Sequence, residues 1–236
     1  MSVWTLCSCL AKPMETFIEL RRLSGTDYYS QALLRAASEL PPSGALRPHT
    51  YRTLVGLLYS TGLRIGEAMA LNIEDFLPAE HRLYVAEGKF RKARWVALSE
   101  STCRALRQYL DRRLRKRPCT PEAPLLLNQR RQRLCYPTVH ATFQSLLEQC
   151  GMLHRQRPGP RIHDMRHTFA VERLLGWYRD GIDVNARLPG LATYMGHVNV
   201  SSTHVYLRPT AELLGEVRDR FHSHYLQHII TNGETS

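Results

Sequence analysis

The sequence predicts a mainly α-helical protein with one small antiparallel β-sheet, an α+β fold. Three observations carry that expectation. Apolar residues recur at helical spacing in most stretches of the chain, a single segment between residues 82 and 98 alternates instead, and 43% of the 236 residues are hydrophobic against 22% charged. Such a chain buries a core and is neither a disordered acidic tail nor a low-complexity polymer.

In chain order, residues 1–45 read as a short N-terminal segment of mixed pieces, closed by the loop Pro41-Pro42-Ser43-Gly44. A helix starts near Pro48, with Tyr51, Leu54, Val55 and Leu58 at i, i+3, i+4 and i+7. Thr61-Gly62 breaks it, and a second short helix follows with Ile65, Ala68 and Met69 inward. In RLYVAEG and RWVAL the period changes to two, with Leu83, Val85, Val96 and Leu98 on one face. The polar, basic GKFRKA between them makes this a hairpin whose turn carries Lys89, Arg91 and Lys92. Helices are expected again over 101–116 (Cys103, Leu106 and Leu110 inward, a basic outer face), 138–149 (Val139, Phe143, Leu146, Leu147) and 164–177 (Met165, Phe169, Leu174). A basic, proline-broken loop, 155–161, lies between the last two, and a final amphipathic helix is expected over 211–229.

Lys and Arg number 32 against 21 Asp and Glu, a formal charge of +11 with a sequence pI near 9.7. That surplus points to a polyanionic partner, nucleic acid or an anionic membrane surface. No apolar run reaches the roughly 18 residues that span a bilayer, and the opening MSVWTLCSCLAKP lacks the basic start of a signal peptide. The six cysteines form no CxxC pair, which fits a reduced, cytoplasmic setting.

Four segments hold the candidate chemistry: TGLRIGEAMAL (61–71), GKFRK (88–92), IHDMRHTFA (162–170) and MGHVNVSSTHVY (195–206). Arg64 follows a glycine break and precedes Glu67 by three. This is either a surface ion pair or a guanidinium aimed at phosphate and steadied by a carboxylate. His163 and Arg166 share one helix face, and His167 completes an H-x-x-x-H spacing close to the zinc motif H-E-x-x-H. The metal reading is disfavoured because Asp is shorter than Glu, Arg161 and Arg166 bring positive charge, and no third ligand sits at a motif spacing. Tyr178, Tyr194 and Tyr225 fall among apolar residues at core spacing, whereas Tyr206 ends a polar run. His204 reads as structural or as a DNA contact. The basic stretches 112–117 and 129–133 are either phosphate-backbone contacts or solvated faces.

In order and spacing, the four segments resemble the catalytic domain of the tyrosine recombinases, the phage-integrase family, over about residues 45–230. The matching residues are Arg64 with Glu67, Lys89, His163 with Arg166, Gly196-His197, and Tyr206 nine residues after His197. One departure is a longer stretch between Arg166 and His197, containing WYRDGIDVNARLPG, expected to lengthen an inter-helix loop. The resemblance implies the DNA breaking-rejoining fold over 46–236, with 211–229 docking on a neighbouring protomer and a core-binding domain truncated or absent in 1–45. It implies site-specific DNA recombination through a 3′-phosphotyrosyl intermediate, with Tyr206 as nucleophile and His163 as proton acceptor. Arg64, Arg166 and His197 would act on the phosphate and Lys89 as proton donor, with Arg91, Lys92 and Arg161 contacting DNA. The partners implied are double-stranded DNA and further copies of the chain, without cofactor, metal, membrane or small-molecule substrate. Two other readings stay open: a catalytically idle DNA-binding remnant or regulator, and a metal-dependent hydrolase built on HDMRH.

Overall fold

The computed structural model describes residues 25–86, 93–115, 119–153 and 159–196. Seven helices and three strands lie among them. α1 (Gly25–Ser38) leads to α2 (Leu46–Thr61) and the short α3 (Ile65–Ala70). β1 (Phe76–Leu77), a 3₁₀ turn (Pro78–Glu80), β2 (Arg82–Val85) and β3 (Arg94–Ala97) follow. α4 (Glu100–Leu114), α5 (Tyr136–Gln149), α6 (Ile162–Arg179) and α7 (Val184–Met195) complete the order. The mainly helical architecture with a small antiparallel sheet is the one the sequence predicts.

α2 is the central helix. Its stripe residues Tyr51, Leu54, Val55 and Leu58 are all buried, and so is nearly every other side chain along it. It packs against α1, α4 and α6, and Arg52 is its one exposed residue. The sheet runs β1-β2-β3, with Leu83 opposite Val96 and Tyr84 opposite Trp95. Leu83, Val85 and Val96 enter the core, and Trp95 stays exposed beneath the Arg82 guanidinium. The hairpin turn with Lys89, Arg91 and Lys92 lies outside the described residues, as do His197, His204, Tyr206, Tyr225 and the helix expected over 211–229.

Several expectations change. Part of the N-terminal segment read as mixed pieces is the 14-residue helix α1, whose Leu33 and Ala37, with Leu40 just beyond it, join the main core. A third strand, β1, adds to the predicted pair. The basic outer face of α4 is broken by Arg113, which is buried. The stretch WYRDGIDVNARLPG does not lengthen a loop. α6 runs on through Trp177 and Tyr178 to Arg179, a tight turn capped by Asp180 follows, and α7 begins at Val184. Asp183 caps α7 by accepting from the Asn185 and Ala186 N–H groups. Pro189 sits inside α7, where its missing N–H removes one rung of the ladder without ending the helix.

Candidate active site

The site is built where α2 stops. Gly62 takes a left-handed conformation, φ 63°, and its N–H closes the helix on the Leu58 carbonyl. A side chain is excluded there twice over, by that φ and by the Phe169 ring, which would lie 2.5 Å from a Cβ. The turn delivers Arg64 to the start of α3, where Glu67 reaches back to accept its N–H at 2.9 Å. An acidic residue at this third helical position satisfies an otherwise orphaned amide and complements the helix dipole. The start of α6 repeats the device, with Asp164 Oδ2 accepting the Arg161 N–H at 2.8 Å.

Glu67 is buried, and two arginines converge on it. Arg64 Nη1 donates to Oε1 at 2.8 Å. Arg94, the first residue of β3, grips both oxygens, Nη1 to Oε1 and Nη2 to Oε2, each at 2.9 Å. Burial pushes the carboxyl toward neutrality and is the strongest single influence. The hydrogen bonds and charge of Arg94, with the bonds from Arg64, together outweigh it and hold the pKa at about 2.

The other end of the arrangement is the C-terminus of α7. Three successive carbonyls there each accept from a different arginine. Tyr194 O takes Arg94 Nε at 2.9 Å, Met195 O takes Arg166 Nη2 at 2.6 Å, and Gly196 O takes Arg64 Nη2 at 3.0 Å. These carbonyls are the helix end that lacks intrahelical partners, where the dipole favours cations. Arg166 also donates through Nη1 to the Gly62 carbonyl at 2.6 Å. It is only 2% exposed, so its charge lies beneath the surface and joins the α2 turn to α7. Gly196, at φ 70°, has room for no side chain: a Cβ would lie 2.8 Å from Arg94 Nη1. The next residue along the chain is His197.

His163 sits at the exposed start of α6. Its pKa is lowered by partial burial and then by the charge of Arg166; Arg161 and Arg64 act in the same direction, and Asp164 opposes them. His167 is lowered as well, by burial, with Asp164 opposing. Arg161 is exposed and pairs with Asp164 at 3.1 Å, which occupies the carboxylate a metallohydrolase reading would need as base. Among the described residues no group of three His, Cys, Asp or Glu converges as a metal site, and no helix is long and apolar enough to cross a membrane.

The structure thus brings Arg64, Glu67, His163 and Arg166 into one neighbourhood, while Lys89, His197 and Tyr206 lie outside the described residues. Sequence reasoning missed Arg94. The signal was present: in the alternating RWVAL strand Arg94 shares the inward face with Val96, and an inward charge calls for a buried carboxylate.

Comparison with known proteins gives concordant results. The family model described as "Phage integrase family" matches residues 29–212. A putative integrase/recombinase of Sinorhizobium fredii, y4rB, is 41% identical over 80% of this chain and 62% of its own length. The tyrosine recombinase XerC of Thermodesulfovibrio yellowstonii is 29% identical over 78% of this chain and 58% of its own. The crystal structure of XerA recombinase superposes with a TM-score of 0.64 at 27% identity, covering 86% of this chain and 63% of that one. The Tn1549 transposon integrase bound to transposon end DNA shares the fold at 19% identity, with a TM-score of 0.59, over 84% of this chain and 65% of that one. The chain spans about three fifths of the length of the curated relatives it matches.

Proposed function

Because this chain belongs to the phage integrase family, the tyrosine recombinases, we propose that its site cleaves and rejoins DNA through a covalent protein–DNA link. The observation that carries the reading is the cation cluster of Arg64, Arg94 and Arg166. It is organised on Glu67 and on the carbonyls of Tyr194, Met195 and Gly196; His197 is the next residue, and Tyr206 follows it by nine.

In this reading the Tyr206 hydroxyl attacks the scissile phosphorus. The Tyr Oη–P bond forms as the bond from phosphorus to the 5′ oxygen breaks, leaving a 3′-phosphotyrosyl ester. A phenol with an ordinary pKa near 10 needs a proton acceptor, and His163 suits the role because partial burial, and then the surrounding cations, favour its neutral form. Lys89 gives its proton to the departing 5′ oxygen. Arg64 and the deeper Arg166 offset charge developing on the non-bridging oxygens, and His197 adds a hydrogen bond there. Preorganised charge of this kind is the usual main source of rate enhancement. Arg91, Lys92 and Arg161 contact the DNA backbone. Since the ester conserves the bond energy, religation by the free 5′ hydroxyl needs no nucleotide cofactor. Copies of the chain assemble on DNA through residues 211–229.

The test is trapping on a library of nicked duplexes with randomised sequence, in which the cleaved 5′ fragment diffuses away. A protein–DNA adduct mapping to Tyr206 by mass spectrometry, and lost in Tyr206→Phe with DNA binding held within a few-fold, is the expected result. Retained binding with no adduct in the wild type would leave the idle DNA-binding reading. An adduct that persists in Tyr206→Phe would move the nucleophile elsewhere.

A further inference from the structure

The end of α2 opposite the active site opens on a second cationic hollow. A cavity of about 970 Å³ is lined by Ala45 and His49 from the start of α2, by Arg112, Arg113 and Arg115 from the end of α4, and by Arg131 from the 128–132 turn; no carboxylate among the described residues lines it. Arg112, Arg113 and Arg115 from one basic stretch and Arg131 from another, separate in sequence, converge here.

Arg113 is the telling residue. It is 7% exposed, its Nη1 donates to the Leu125 carbonyl at 2.8 Å, and its buried Nε has no partner among the described residues. No carboxylate pairs with it among those residues. A buried guanidinium left incomplete in this way is costly unless an anion completes it. Beside it Arg112 Nη1 lies 2.9 Å from His49 Nδ1, a bond that a neutral imidazole accepts. Burial, then the charges of Arg112 and Arg52, lower the His49 pKa. Ala45, the N-cap of α2, offers no side-chain acceptor to the first helical amides. Arg131 is held at φ 61° by a turn in which its N–H meets the Asn128 carbonyl. The α4 helix dipole accounts for Arg112 and Arg115, but neither for the buried Arg113 nor for Arg131, which comes from another segment. The floor is fixed, with Tyr109 Oη accepting from the Leu127 N–H and Thr50 Oγ1 donating to the Leu127 carbonyl.

We propose that this hollow is a second phosphate-binding site, occupied by backbone phosphate of the DNA duplex remote from the cleavage point. The proposal rests on the recombinase reading. α2 has 16 residues, so its two ends are about 24 Å apart at 1.5 Å per residue. At about 3.4 Å per base pair, that separation corresponds to some seven base pairs of a duplex lying along α2.

The test compares nicked duplexes with arms of five or fifteen base pairs flanking the nick. Anisotropy binding across a salt series is measured for the wild type and for Arg112→Ala/Arg131→Ala, both exposed positions, which leaves the buried Arg113 in place. The expected result is a several-fold loss on long arms, a salt slope smaller by about one to two, and no difference on short arms. Equal loss on both lengths, or none on either, overturns the proposal. Inorganic pyrophosphate is titrated into the wild type while the His49 ring protons are followed by NMR. A pyrophosphate-induced shift without any effect of arm length assigns the hollow to a free phosphate ligand and likewise overturns occupancy by the duplex. Adduct formation is read on the same duplexes: adduct without the length effect sinks this site alone, whereas absence of adduct sinks the recombinase reading.

Discussion

Glu67→Gln tests the cation cluster at its centre. The carboxylate accepts one backbone and three guanidinium hydrogen bonds and has its pKa moved from about 4.5 to about 2. A shift of that size corresponds to about 3 kcal/mol favouring the charged form in the folded state. Glutamine keeps one acceptor, aims an N–H₂ at an arginine, and leaves two guanidinium groups without a counter-charge. Urea unfolding at pH 7 should therefore show a loss of about 3 kcal/mol, in line with breaking a buried ion pair from one side. The sign of the pH dependence follows from a depressed pKa. The contribution is complete above the unfolded value near 4.5 and is lost as pH falls toward 2. At pH 3.5 the gap between wild type and variant should shrink to about 2 kcal/mol. A gap that is constant between pH 7 and pH 3.5, or a variant as stable as the wild type, would refute the account of Glu67 as the charged anchor of Arg64 and Arg94.

Gly62→Ala should lose about 3 kcal/mol, combining left-handed strain with overlap on Phe169, whereas Gly44→Ala, also left-handed but in open space, should lose only about 1 kcal/mol; equal urea midpoints would refute the overlap. Because the pKa of His163 is lowered, its neutral form persists below pH 6.5, so the acid limb of kcat/KM for DNA cleavage should lie below that value; a limb above pH 7 would remove His163 as acceptor. Strand cleavage should survive excess EDTA, since the clustered arginines supply the positive charge a metal would bring; activity lost to chelator and restored by Zn²⁺ or Mg²⁺ would favour the hydrolase reading.

Elements whose burial rests on large side chains were readable from sequence. Tyr51, Leu54, Val55 and Leu58 announce α2, and Val139, Phe143, Leu146 and Leu147 announce α5, because each stripe is continuous and strongly apolar. α1 went unread because its buried face leans on alanines as well as Leu33, and alanine marks periodicity weakly. The α6–α7 region reads as a lengthened loop because it exceeds the family spacing between Arg166 and His197, and Asp180-Gly181 and Pro189 do nothing to correct that, being breaker signals. Local chemistry placed the turn correctly there, but tertiary packing of Trp177, Val184 and Leu188 carries the helices up to it and through the proline. At the site, spacing located Arg64, Glu67, His163 and Arg166, yet it could not reveal that Arg166 is buried or that Arg94 completes the cluster. Both facts arise from contacts about 30 to 100 residues apart in the chain.

The carbonyl end of α7 also sets an order of events during synthesis. Arg64, Arg94 and Arg166 are synthesised before residues 194–196; until those carbonyls arrive Arg64 and Arg94 have Glu67, and Arg166 has the Gly62 carbonyl. Arg64, Arg94 and Arg166 gain the carbonyls of residues 194–196 only when α7 docks, so the full arrangement depends on that helix. Backbone amides that depend on that docking, among them those of the Gly62 turn, should exchange with solvent as one unit with the last turn of α7.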